Sequence, residues 1–224
     1  MSELRVDKIS PQSGTEIDLG DSGDSLKVPS GGFLKVNNID VVAVAPSTSG
    51  NLLTSNGSAW TSATPAGAGL TLGTKQATTS GTAFTFGSIP SGVSLIFVNF
   101  YGVSLSGSDD LLVYLGDAGG LETSGYISTG NSLDSTNIGH VASTAGFIID
   151  KTAAAGLAIY GNWMFTRHGT SHEWVGSYTG GSSDTHLTQH AGGHKTLSAE
   201  LTQVSVDTTG SNTFDAGSLN ISYM

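Results

Sequence analysis

Leu157-Ala158-Ile159-Tyr160-Gly161-Asn162-Trp163-Met164-Phe165, followed soon after by Glu173–Tyr178, decides the fold class. Trp163 and Phe165 occupy alternate positions, as in a strand with one buried face. Tyr160, Trp163, Phe165, Trp174 and Tyr178 place five rings on two successive segments. A sugar-binding platform uses such rings, but Trp163 and Phe165 on one side of one strand read more simply as core.

The same reading extends outward. Ala83–Phe86, Leu95–Val103, Leu111–Leu115, Gly146–Ile149, Gln203–Asp207 and Ser218–Tyr223 are further candidate strands. About eight strands with glycine-rich turns predict a β-sandwich, jelly-roll-like, over residues 75–224. Lys195–Val206 alone has helical spacing, at Leu197, Leu201 and Val204, and suggests a helical turn entering a strand. Gly116–Ala145 and Thr179–Lys195, rich in Gly, Ser and Thr, read as long loops.

Upstream, residues 1–45 carry short alternating stretches punctuated by turn formers, such as Leu4, Val6 and Ile9, then Leu34 and Val36. Strands this short cannot bury their apolar side chains alone. They need copies of themselves or a partner surface, which predicts an intertwined β segment. Residues 46–74 form a linker, and no charged residue occurs from Val41 to Thr74. Within it, Asn56-Gly57 predicts a type I′ hairpin with Trp60 facing a leucine across the strands.

Composition bounds the function. Among 224 residues there are 32 glycines, no cysteine, and a formal net charge of −10. Nucleic-acid binding lacks its basic footprint, and no polybasic segment addresses an anionic membrane. Disulfides and thiolate metal sites are impossible. The opening residues lack the apolar core of a signal peptide and no apolar run reaches membrane-spanning length, so we expect cytoplasmic synthesis and no membrane insertion.

The order of several segments carries a resemblance. Val6-Asp7-Lys8-Ile9-Ser10-Pro11-Gln12-Ser13-Gly14-Thr15 leads into Ile17-Asp18-Leu19-Gly20-Asp21-Ser22-Gly23-Asp24 and then Val28-Pro29-Ser30-Gly31-Gly32. This opening resembles the start of bacteriophage tail-fibre proteins, and Gly50–Trp60 resembles their linker hairpin. Phe86–Val93, Val103–Gly107, Ser124-Gly125-Tyr126 and Phe214–Ser218 resemble a recurrent phage tail β module. The resemblance implies a virion location in the tail, a homotrimer, contacts with other tail or virion proteins, and a host-surface glycan or protein as ligand. It implies no catalytic residue.

Other constellations are weaker. Gly20-Asp21-Ser22-Gly23 matches a protease nucleophile loop, but every histidine lies at or after His140, where that family needs one upstream. Gly67-Ala68-Gly69 follows no buried strand and opens no helix, so it is no phosphate cradle. Asp109-Asp110, Asp184 and Asp215 read as solvated turn acids, with calcium binding or a glycosidase pair as the sharper alternatives. His186, His190 and His194 recur every fourth residue, as do His168 and His172. On a helix that interval shares a face and chelates a metal. The glycine-rich flanks favour exposed loop histidines instead, although a histidine on a trimer axis would meet two copies of itself.

The expectation is therefore a non-enzymatic tail-fibre subunit without cofactor, displaying a sandwich for host recognition. Tyr126, Arg167, His168, His172 and the later histidines are the candidate receptor contacts, on loops that otherwise pack against neighbouring subunits. The alternatives are an architectural virion protein, such as a collar or head decoration, and a polysaccharide depolymerase.

Overall fold

The computed structural model describes residues 35–36, 39–40, 51–55, 60–64, 69–133, 138–149, 155–183 and 187–224. Among them every regular element is a strand. The chain divides into two compact units, Met1–Ala66 and Gly67–Met224.

In the first unit, β1 (Lys35–Val36) pairs antiparallel with β2 (Ile39–Asp40). β3 (Leu52–Ser55) pairs with β4 (Trp60–Ala63), setting Ser55 opposite Trp60 and Leu53 opposite Ser62. A two-residue turn at Asn56-Gly57 would instead set Trp60 directly opposite Leu53; the observed register sets it opposite Ser55. Cross-strand hydrogen bonds favour the observed register. The Thr54 and Thr61 hydroxyls lie 3.2 Å apart, and Asn51 Nδ2 donates to Ser62 Oγ at 3.0 Å. Asn56-Gly57 and the expected intertwined segment before Lys35 lie outside the described residues.

The second unit begins with two short strands, β5 (Thr71–Leu72) and β6 (Gln76–Ala77). Then come β7 (Ala83–Phe86), β8 (Leu95–Leu105), β9 (Leu111–Asp117), β10 (Gly120–Leu121), β11 (Tyr126–Leu133) and β12 (Ile138–Ser143). The remainder are β13 (Phe147–Ile149), β14 (Ile159–Arg167), β15 (Glu173–Ser182), β16 (Thr188–Thr196), β17 (Gln203–Thr208) and β18 (Phe214–Tyr223). A nine-stranded antiparallel sheet runs β12-β11-β16-β15-β14-β8-β18-β5, with β6 also on β18. A five-stranded sheet runs β10-β9-β17-β7, with β13 also on β9. Because β5 already pairs with β18, this unit includes residues before Lys75.

The two sheets form a sandwich around one core. The large sheet contributes Ile96, Val98, Phe100, Trp163, Phe165, Trp174, Tyr178, Leu219 and Ile221, and the small sheet Leu111, Val113, Leu115, Phe147, Ile149, Val204 and Val206. Phe147 of the small sheet is the hinge pin of this core. Its ring lies 4.9 Å from Phe165, 5.2 Å from Tyr126 and 5.3 Å from Trp163, all on the large sheet. Trp163 and Phe165 stack at 5.3 Å, as their alternate spacing predicts.

Rings this large fit only because the facing positions are small. A Cβ added to Gly176 would lie 2.6 Å from the Phe165 ring and 3.2 Å from Phe147. One added to Gly180 would lie 2.2 Å from Tyr178 Oη and 2.4 Å from the Tyr160 carbonyl. Tyr178 thus lies along its own strand over Gly180, with its hydroxyl donating to the Tyr160 carbonyl at 3.3 Å. A second device shapes β18. Its register against β8 shifts between Ala216 and Ser218, where Gly217 has φ of 92° and packs against the Gly102 carbonyl.

Three sequence expectations change. Gly116–Ala145 and Thr179–Lys195 are not loops but supply β10, β11, β12, the end of β15 and most of β16. These strands lack an apolar alternation because their inward positions include Ser128, Gly130, Ser132, Gln189, Gly193 and Lys195. The small sheet's edge crosses here: Ser128 Oγ accepts from the Ile148 amide of β13 at 3.0 Å, and a Cβ at Gly130 would meet the Ile148 carbonyl at 3.2 Å. The apparent helical spacing of Lys195–Val206 comes from Leu197 and Leu201, both buried in the connection between β16 and β17, and Val204 on β17.

The glycine seats are testable. Gly180→Ala should destabilise the protein by about 1–3 kcal/mol, since overpacking against backbone cannot relax cheaply. Gly87→Ala, whose added Cβ meets nothing within 4 Å, should stay within about 0.5 kcal/mol of the parent. Urea-unfolding midpoints check both.

Candidate functional site

One sheet face collects most of the polar chemistry. Residues directly opposite one another on adjacent strands share a face. The strand registers therefore align Asn220, Asn99, Asn162, Thr179, His190, Asn131 and His140 across seven adjacent strands of the large sheet. Their inward neighbours, including Val98, Trp163 and Tyr178, are in the core, so this row faces outward. At about 4.8 Å per strand it runs roughly 29 Å. It contains amides, a hydroxyl and imidazoles, and no carboxylate or ammonium.

Apolar groups border the row. On one side Tyr101 pairs with Tyr160, their rings edge-to-face at 6.0 Å, and Tyr101 is 74% exposed. On the other side lie Phe97 and Met164, directly opposite one another. Ile127, Ile138 and Val175 also reach solvent from this face.

At the β12-β11-β16 end the row widens into a shallow depression of about 380 Å³, lined by Thr129, Asn131, His140, His190 and Gly192 with the backbone of neighbouring Gly130 and Ala191. The site is local in geometry but not in sequence: Asn131 stands between His140 on one strand and His190 on the other. Gly192 keeps the surface low, since the nearest atom to an added Cβ would be 3.6 Å away. Asn131 Oδ1 is hidden from solvent and has no hydrogen-bond partner among the described residues. A buried amide oxygen without a donor costs about 1–3 kcal/mol.

The sequence-predicted residues land elsewhere or in other roles. His190 and His194 are on the outer face of β16, but four residues of strand separate them by about 13 Å, beyond chelating reach. No group of three or more metal-ligating side chains occurs among the described residues, and His186 lies outside them. Arg167, His168 and His172 sit at or beside the β14–β15 connection. The Arg167 guanidinium is held by the Ser171 and Thr170 carbonyls at 2.9 and 3.0 Å and lies 3.8 Å from Glu200. His168 Nδ1 lies 3.1 Å from Glu173 Oε2. This tip is tied to itself.

Tyr126, expected as a surface contact, is a core residue with 1% exposure. Its hydroxyl donates to the Glu122 carbonyl at 2.8 Å and accepts the Leu115 amide at 2.8 Å. Burial pushes its phenol well above the ordinary range. Lys195 Nζ sits 5.1 Å above the Tyr126 ring, 2.5 Å from Glu122 Oε2 and 2.9 Å from the Ser124 carbonyl.

Asp117 and Glu122 converge on one residue. Both bond Ser198, through its hydroxyl at 2.5 Å and its amide at 2.7 Å respectively. The Ser198 hydroxyl and the Gly119 amide hold Asp117 below its ordinary range. Burial works to raise Glu122, but Lys195 and the Ser198 amide outweigh it and hold it low. A glycosidase general acid needs a raised carboxyl, and both members here are lowered. Asp207 is raised by burial, against an opposing Ser205 hydrogen bond, and has no second acid beside it among the described contacts.

No family model, curated protein or solved structure matches this chain.

Glu122 predicts an acid response. Its folded pKa is depressed, so its contribution is fully present above the ordinary value of 4.5 and is lost as pH falls through the folded value. Glu122→Gln should cost about 2–3 kcal/mol at pH 7, because Lys195 is left buried without its counter-charge. It should also flatten the loss of stability below about pH 4.5. Unfolding midpoints from pH 3 to 7 measure both effects.

Proposed function

We propose that this chain is a non-enzymatic subunit of a bacteriophage tail fibre. Its N-terminal part attaches to the virion and trimerises, and its sandwich is displayed for recognition of the host surface. The observation that carries this reading is the outer face of the nine-stranded sheet. It offers a long, charge-free row of neutral hydrogen-bonding groups bordered by exposed tyrosines and aliphatic side chains. Such a surface suits contact and adhesion, since it combines apolar area with groups that fix orientation. Three copies on one fibre multiply shallow contacts by avidity, so no single site has to be deep.

The order of the N-terminal segments and of the sandwich pieces, set out above, supports the tail-fibre assignment. The short alternating apolar stretches of residues 1–45 support a trimer, because strands of that length need other copies to bury apolar side chains.

The full chain should have a solution mass three times its 22.7 kDa by light scattering. Fluorescently labelled, it should bind intact cells of a susceptible bacterial host and leave cells of a resistant strain bare. A monodisperse monomer at micromolar concentration, or a trimer that binds no cell surface, contradicts this reading; the second result favours an architectural virion protein.

A further inference from the structure

We infer that the depression bounded by Thr129, Asn131, His140, His190 and Gly192 binds a neutral oligosaccharide, which extends along the Thr179–Asn162–Asn99 row toward Tyr101 and Tyr160. The inference rests on the proposed recognition role and names the ligand class of that face.

Complementarity of the groups is the first argument. A sugar hydroxyl both donates and accepts. Carboxamides and a threonine hydroxyl do the same, imidazoles add further ring nitrogens, and here these groups stand in one row across seven strands. Charge is the second argument. The row holds no carboxylate, ammonium or guanidinium, although the chain as a whole carries a net −10. An anionic sugar would find no lysine or arginine along it. The nearest basic side chains on the sheet are committed elsewhere: Lys195 points inward onto Glu122, and Arg167 is bound by its own connection.

Asn131 supplies the third. Its Oδ1 is buried in the lining of the depression with no partner among the described residues. Turning the side chain toward the depression brings its amide oxygen or nitrogen within reach of a ligand hydroxyl, which both donates and accepts. The fourth is the exposed, edge-to-face Tyr101–Tyr160 pair one step off the row, which offers aromatic surface to the apolar face of a sugar ring. A second copy of the chain is the competing occupant. A row of seven polar groups running through the middle of the face would have to be paired or desolvated in such an interface.

The test uses the full chain on a printed array of neutral and of carboxylate- or sulfate-bearing oligosaccharides, with calorimetric titration of the strongest hit. Neutral oligosaccharides should bind, and affinity should change little with salt, since no ion pair contributes. His190→Ala and His140→Ala alter exposed side chains and should each weaken binding about fivefold or more, and Asn131→Ala about tenfold. Thr85→Ala, on the outer face of the small sheet, should leave affinity unchanged. Binding confined to acidic oligosaccharides, or binding that survives all three substitutions, overturns the inference. So does a fall in oligomeric mass of His190→Ala or His140→Ala, which assigns the face to a second copy. Cell binding by the parent chain with no neutral oligosaccharide bound leaves the recognition role standing and removes this ligand class; loss of both removes the role itself.

Discussion

The insertion of Phe147 into the large sheet is the contact on which the sandwich depends. A three-residue strand, β13, carries one ring from the small sheet into contact with Tyr126, Trp163 and Phe165. Such a ring buries roughly 150–250 Å². It can do so only where the opposing sheet is low, and glycine at 176 provides that. The same economy of volume recurs with Tyr178 over Gly180. Large and small residues are matched across neighbouring strands, which is how a β core reaches close packing without strained rotamers.

This constraint also shapes the outer face. Because β13 crosses close above β11 and β16, those strands carry serine, glycine and alanine inward. Their apolar content is therefore low on the inside, and their outward positions hold threonine, asparagine and histidine. Beyond β15, β14 and β8 keep bulky apolar residues inside and show Asn99, Asn162, Tyr101 and Tyr160 outside. A polar row bordered by rings is the result. It is assembled from strands far apart in sequence, and no single segment contains it.

That arrangement explains what could be read from the sequence. Strands with branched or aromatic inward residues, such as Leu95–Leu105 and Ile159–Arg167, announced themselves by a two-residue period, and Trp163 with Phe165 took the core position expected. Tyr126–Leu133 and Thr188–Thr196 did not, since Ser128, Gly130 and Gly193 at inward positions mimic loop composition. Tyr126 accordingly looked like a loop aromatic when it closes the core beside Phe147. The four-residue histidine interval fits a helix and a strand alike; on a strand it keeps a common face but separates the rings. The row through Asn131, His140 and His190 depends on pairing register, which periodicity alone does not supply. The one available signal was Asn99 and Asn162 sitting mid-strand among apolar neighbours.

The central claim is that the outer face of the nine-stranded sheet is open to a ligand in the assembled protein. Hydroxyl-radical footprinting of the full chain at its native oligomeric state, read by mass spectrometry at Tyr101, Tyr160, Met164 and His190, measures this directly. The account predicts oxidation at all four at the rate of exposed side chains, while Trp163 and Phe147 in the core stay protected. Protection of all four in the assembly, lifted only when the oligomer is dissociated without unfolding, would contradict it.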